Sequence, residues 1–246
     1  AHELQIFKRG HVRVKRRQLW QITYAAPLFM ALIFAIVSVF CFLNSFNSTG
    51  SGSAHFEYTL ISASFWSLLF VPLVTMRMFS EERHSKTDQL LYSLPITGTQ
   101  VTLGKYFAAV TVFAIPCALF CVFPLLFSVF CDGQVPYLMS YIGIATYFLA
   151  GCAVIAICMF VSTLFESQMI TALVSLAVII LLYIIGNITS SLTGFLGGLC
   201  GAVSIFRRMY DIGYGYPDWS CALYYVSVAA LFVFFTVQSF EKRRWS

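Results

Sequence analysis

GQVPYLMSYIGIATYFLAGCAVIAICMFVSTLFESQMITALVSLAVIILLYIIGNITSSLTGFLGGLCGAVSIF, the run from Gly133 to Phe206, contains a single acidic or basic side chain, Glu166. In an ordinary soluble domain about a quarter of the residues are charged. Crossing about 30 Å of hydrocarbon at about 1.5 Å per residue takes about 20 apolar residues. On either side of Glu166 lies an apolar stretch of that length, Val135–Ser162 and Gln168–Ile188. The run therefore reads as two membrane helices joined by a tight connection.

Working outward, the same criterion marks four more spans, at about 21–43, 57–79, 101–130 and 219–240. The fold class is thus an all-α membrane protein of six transmembrane helices, a single permease-like domain over residues 1–246. Spans three and four exceed the needed length and can tilt, kink or protrude. Pro116 and Pro124 fall inside span three, where each removes a helix hydrogen bond, so a kink is expected there. The full-length apolar run behind the basic N-terminus, with no small-residue cleavage site, is expected to be a span rather than a cleaved signal.

Composition agrees. Of 246 residues, 59% are hydrophobic and 10% charged, and the formal net charge is +5. These values exclude a disordered chain, a nucleic-acid binder with a basic face and an ordinary cytosolic enzyme. Orientation follows from the basic residues. Lys8, Arg9, Arg13, Lys15, Arg16 and Arg17 precede span one. Arg77, Arg83, Lys86 and Lys105 flank the loop after span two, and Lys242, Arg243 and Arg244 end the chain. The opposite side has only Arg207 and Arg208. Both termini are expected in the cytoplasm. The spans are nearly free of ionisable groups, which argues against an ion-coupled carrier and for an external energy source.

Four segments between spans are informative. Residues 1–20 form a basic segment in which Leu4, Phe7, His11 and Val14 recur at helical spacing, fit for an anionic membrane surface. In the loop at 80–95, Ser85 and Asp88 fit a capping box ahead of Leu90 and Leu91, Glu82 and Lys86 form a favourable pair, and Pro95 ends the turn. This reads as a short amphipathic helix along the membrane, or as a plain solvated loop. From Ile185 to Ser204 the chain is apolar yet rich in Gly, Ser and Thr. Gly194 and Gly198, and Gly197 and Gly201, repeat the small-xxx-small spacing of close helix packing. An outer re-entrant hairpin within 189–218 fits best, packed against protein or lining a pathway. Residues 206–218 mix charge with aromatics, as at a membrane interface.

Enzymatic signatures are missing from the sequence. It has no P-loop, no H-E-x-x-H and no G-x-S-x-G. The eight cysteines form no C-x-x-C, and most lie in spans as small apolar residues. Cys131 and Cys200 are both expected to face outward, but spacing does not pair them. Asn47-Ser-Thr49 and Asn187-Ile-Thr189 match glycosylation acceptors. Trp66, near the middle of span two, either packs between helices or lines a pathway; Trp66 and Asn187 are the candidate cargo-path residues. No metal site is expected.

The stretch Phe79-Ser-Glu-Glu-Arg-His-Ser-Lys-Thr-Asp-Gln-Leu-Leu-Tyr-Ser-Leu-Pro-Ile-Thr97, leading into Val101-Thr-Leu-Gly-Lys105, resembles the loop signature of type-two ABC exporter permeases. The last span, Leu223 to Trp245, is similar to that of the branch containing gliding-motility permeases. The resemblance implies a dimer of permease chains, with itself or a similar chain, in the plasma membrane. It implies a separate cytosolic ABC ATPase that binds ATP and Mg, with no cofactor on this chain, which is itself not an enzyme. Glu81, Glu82, Thr87, Leu90, Leu91 and Pro95 match the family's coupling helix, which seats in the ATPase. The expected function is ATP-driven export of an amphipathic cargo: a lipid, lipid-linked glycan, peptide or drug. The alternative is a non-transporting membrane scaffold that recruits an ATPase for mechanical or maturation work. Membrane lipid is an expected partner and nucleic acid is not.

Overall fold

The structure, a computed structural model, describes residues 97–125, 137–165, 167–189, 201, 204–208 and 219–244, with single positions of the first two spans: 36, 39, 40, 43, 71, 72, 75, 76 and 79. Four long helices carry it: α1 (Gly98–Phe120), α2 (Tyr137–Leu164), α3 (Gln168–Thr189) and α4 (Trp219–Arg244). All four are long and apolar enough to cross a bilayer. No strand occurs among the described residues. The four match spans three to six of the sequence reading; the first two spans are described only at scattered positions.

The helix α2 is the hub. It packs on α1, α3 and, most extensively, α4, and it is the most buried of the four. Its sequence explains this. Ala150, Gly151, Ala153, Ala156 and Cys158 keep its surface narrow, and narrow surfaces let neighbouring helices approach closely where lipid supplies no hydrophobic drive. Gly151 marks the closest approach: a Cβ there would overlap the ring of Phe113 on α1. That ring cannot swing aside easily, because it lies 5.8 Å from Tyr147 and stacks at 6.3 Å on Phe148. Tyr147 in turn meets Phe120 edge-on at 5.4 Å. These rings form one continuous aromatic seam between α1 and α2.

Polar side chains inside the bundle bond to their own helices. Thr75, Thr146, Thr163, Thr171, Ser175 and Thr236 each donate to a carbonyl three or four residues back, at 2.7–3.0 Å. This lets a hydroxyl sit in an apolar interior at little cost.

Helix boundaries depart from the sequence reading in three places. First, α1 continues past Pro116 and ends at Phe120. Cys121 and Val122 tighten to bonds with the carbonyls of Ala118 and Leu119, and helix resumes over 123–125. The interruption falls just before Pro124, which has no N–H to continue the helix ladder. Secondly, α3 runs through Ile185 and Gly186 to Thr189; this agrees to one residue with the expected span Gln168–Ile188, but makes helical the residues that also open the Gly- and Ser-rich segment read from sequence as broken. Gly186 continues the helix because Ser204 and Phe206 pack on it; a Cβ there would stand 2.9 Å from Ser204 Oγ. Thirdly, α4 extends to Arg244. Glu, Lys and Arg are good helix formers, and cations suit a helix C-terminus, so the helix does not stop where its apolar residues do.

Apolar side chains cover the outside. Met169, Leu173 and Leu181 of α3, and Trp219, Leu223 and Phe234 of α4, are exposed. Such a surface is a liability in water and the expected one in hydrocarbon.

Candidate functional site

The bundle has two ends. One gathers the start of α1, the end of α2 and the end of α4, with Lys105, Lys242, Arg243 and Arg244; this is the basic end. Here a single buried ring, Phe79, ties the elements together. It is the last described residue before segment 80–95, and Gly98 begins the helix that follows that segment.

Three contacts hold Phe79. Its backbone N–H donates to Ser162 Oγ on α2 at 3.3 Å. Its ring lies 6.1 Å from Phe240 on α4. Over the ring sits the ammonium of Lys105 on α1, 4.0 Å from the centroid. Met159 of α2 closes the cluster, with Val101 and Tyr106 packed around it. A cation over an aromatic face is worth about 0.5–2 kcal/mol, more when desolvated. Tyr106 fixes the neighbouring turn by donating to the carbonyl of Cys152 at 3.2 Å.

The chain comes back at the same place. Thr97, in extended conformation, precedes α1, and the amides of Gln100 and Val101 donate to its carbonyl. Gly98 lies against α4 so closely that a Cβ would be 3.0 Å from Phe240 Cδ1 and 3.1 Å from Glu241 Cγ. Both flanks of the 80–95 segment therefore rest on one residue, Phe240. The helix α4 itself lies along α2.

The residues singled out from sequence fall as follows. Glu81, Glu82, Thr87, Leu90, Leu91 and Pro95 lie outside the described residues, as do Trp66, Gly194, Gly197 and Gly198. So do Cys131 and Cys200. Gly201 is helical and half-buried. Asn187 is exposed on the last turn of α3, its side-chain amide donating to the carbonyl of Tyr183 at 3.0 Å. It lies at the end of the bundle away from Phe79. Phe79 and Lys105 open and close the quoted loop signature, and they touch; Ser162 and Phe240 were not singled out. Ser162 looks like any hydroxyl in an apolar span, and nothing in the sequence signals its long-range bond. Gly104, part of the signature, has nothing among the described residues within 4 Å of where a Cβ would sit. Among the described residues no His, Cys, Asp and Glu group could hold a metal.

Long apolar helices packed around a narrow central one define a multi-pass membrane protein. The family model described as ABC-2 family transporter protein matches residues 43–240, most of the chain. The chain belongs to that family: it is a membrane-embedded permease component of an ABC transporter, the subunit that is not itself the ATPase. Members of this family work with an ABC ATPase. No curated protein matches the sequence.

Proposed function

We infer that the chain is the permease of an exporter, in the manner of the gliding-motility-like branch, and that a separate cytosolic ATPase docks on residues 80–95. The observation that carries this reading is the Phe79 clamp. A docking segment transmits force only if its base is rigid. Phe79 and Gly98, on either side of the segment, are packed against α4, and α2 holds Phe79 through Ser162. A push on the segment then becomes a rigid-body displacement of α2 and α4 rather than a local rearrangement. Glu81 and Glu82 hold the segment by pairing with basic neighbours, and Leu90 and Leu91 fill an apolar groove of the ATPase.

Two permease chains flank the cargo path, with both termini on the cytosolic side of the plasma membrane. ATP and Mg stay with the ATPase subunit. The cargo is amphipathic, because a bundle so poor in charge offers no means of holding a small polar solute. The complex, reconstituted in vesicles, is expected to move lipid-like, peptide or drug-like probes on addition of ATP. Movement confined to small polar solutes would overturn the cargo assignment.

A further inference from the structure

At the end of the bundle away from Phe79, a short turn carries the only two arginines described on that side. Its base is firmly built. Ser204 Oγ accepts the N–H of Arg207 at 3.1 Å, capping the turn. The hydroxyl of buried Tyr225 donates to the carbonyl of Ile205 at 2.8 Å. Phe206, also buried, meets Tyr183 of α3 edge-on at 5.3 Å. The turn is thus locked between α3 and α4, and residues 207 and 208 are held in fixed places.

Among the described residues nothing balances the charge it presents. The guanidinium of Arg208 lies over the ring of Tyr224, 4.1 Å from the centroid. Its Nε is buried, and no acceptor among the described residues reaches it. No carboxylate is paired with either arginine among the described residues. Burying part of a guanidinium without a counter-charge is costly, and a ring face offsets only a fraction of that cost. Both arginines are nonetheless half-exposed, so an anion can meet them without the bundle opening. The level is right for a membrane surface. Tyr224 is five residues into α4, about 7.5 Å along its axis, and Tyr183, Tyr224 and Trp219 form the aromatic belt expected at that depth.

We propose that Arg207 and Arg208 form a binding site for a phosphate group at this membrane face. The planar fork of arginine matches phosphate oxygens, and the ring of Tyr224 holds the fork in place while it waits for a partner. Lipid headgroups and free phosphate share this chemistry. The site does not depend on the export reading, since it binds whether or not the complex transports.

The test is native mass spectrometry of the full chain in mild detergent, stripped of lipid and titrated with defined probes. Dioleoylphosphatidylglycerol is expected to bind the native chain about tenfold more tightly than the Arg208→Gln variant, the worth of one charge-assisted bond set. Arg207→Gln is expected to weaken binding less, and Arg208→Lys to keep part of it. Dioleoylglycerol, which lacks the phosphate, is expected to show no difference between variants. Excess inorganic phosphate separates the sources: undisturbed phosphatidylglycerol binding upholds a lipid headgroup, and its displacement identifies free phosphate as ligand of the same arginines. Should Arg208→Gln fail to elute as a single species, Arg208→Lys and Arg207→Gln provide the comparison. Equal phosphatidylglycerol binding by well-folded native and Arg208→Gln chains would overturn the proposal.

Discussion

Ser162 shows how much a single hydroxyl can do in a membrane protein. It is fully buried on α2, and the N–H it accepts comes from the residue that opens the 80–95 segment. Replacing it with Ala removes that acceptor, a loss of about 1 kcal/mol. Ser162→Ala is expected to fold, to melt slightly earlier, and to uncouple ATP hydrolysis from transport in the reconstituted complex; unchanged coupling would remove Ser162 from the joint. Two glycines make a paired test of packing. Gly151→Ala forces Phe113 out of a full aromatic seam and is expected to destabilise by about 1–3 kcal/mol. Gly104→Ala meets nothing among the described residues and is expected to be neutral or slightly stabilising, because Ala is the better helix former by about 1 kcal/mol. Thermal melting in detergent, read by loss of the monodisperse peak, distinguishes the two. A Gly104→Ala variant that melts normally but loses ATPase or permease association would place Gly104 in an intersubunit contact.

Among the elements, α2 and the turn at 204–208 have the clearest consequences. Tyr225 is fully buried, and its hydroxyl is what ties the turn to α4. Tyr225→Phe leaves the carbonyl of Ile205 unsatisfied, at a cost of about 1–3 kcal/mol. It is expected to speed amide exchange over 204–208 while exchange in α2 stays slow; uniform exchange would show that the turn is held by packing alone. The helices were legible from sequence because charge-free runs of span length have few alternatives, and four described helices overlie spans three to six. Their ends were less legible. The apolar criterion stops at Phe240, whereas the backbone continues through Glu241 and Lys242 to Arg244 because helix propensity and hydropathy are separate properties. Gly186 and Asn187 fall both inside the expected fifth span and in the segment read as broken; both are helical, Gly186 where Ser204 and Phe206 need room, Asn187 bonded to the carbonyl of Tyr183. The clamp was half legible. Phe79 and Lys105 lie at the two ends of the recognised loop signature, but Ser162 and Phe240 join them only through the tertiary packing of α2 and α4.

At the scale of the molecule, the arrangement separates two tasks. The basic end joins segment 80–95 to α1, α2 and α4 through one aromatic cluster, and the other end fixes a pair of arginines at the membrane surface. The narrow α2 runs between them. The central claim is that an ATPase docks on the segment whose base Phe79 and Gly98 define. The measurement that tests it most directly is a mild-detergent pull-down of the tagged chain from its own host, beside a variant carrying Glu81→Lys and Glu82→Lys, with mass spectrometry of the co-eluting proteins. The account predicts a P-loop ATPase with the native chain and its loss from the variant, while the variant elutes as an intact membrane protein. Equal recovery of the ATPase with both chains would contradict the docking site, and recovery of no ATPase with the intact native chain would contradict the exporter reading itself.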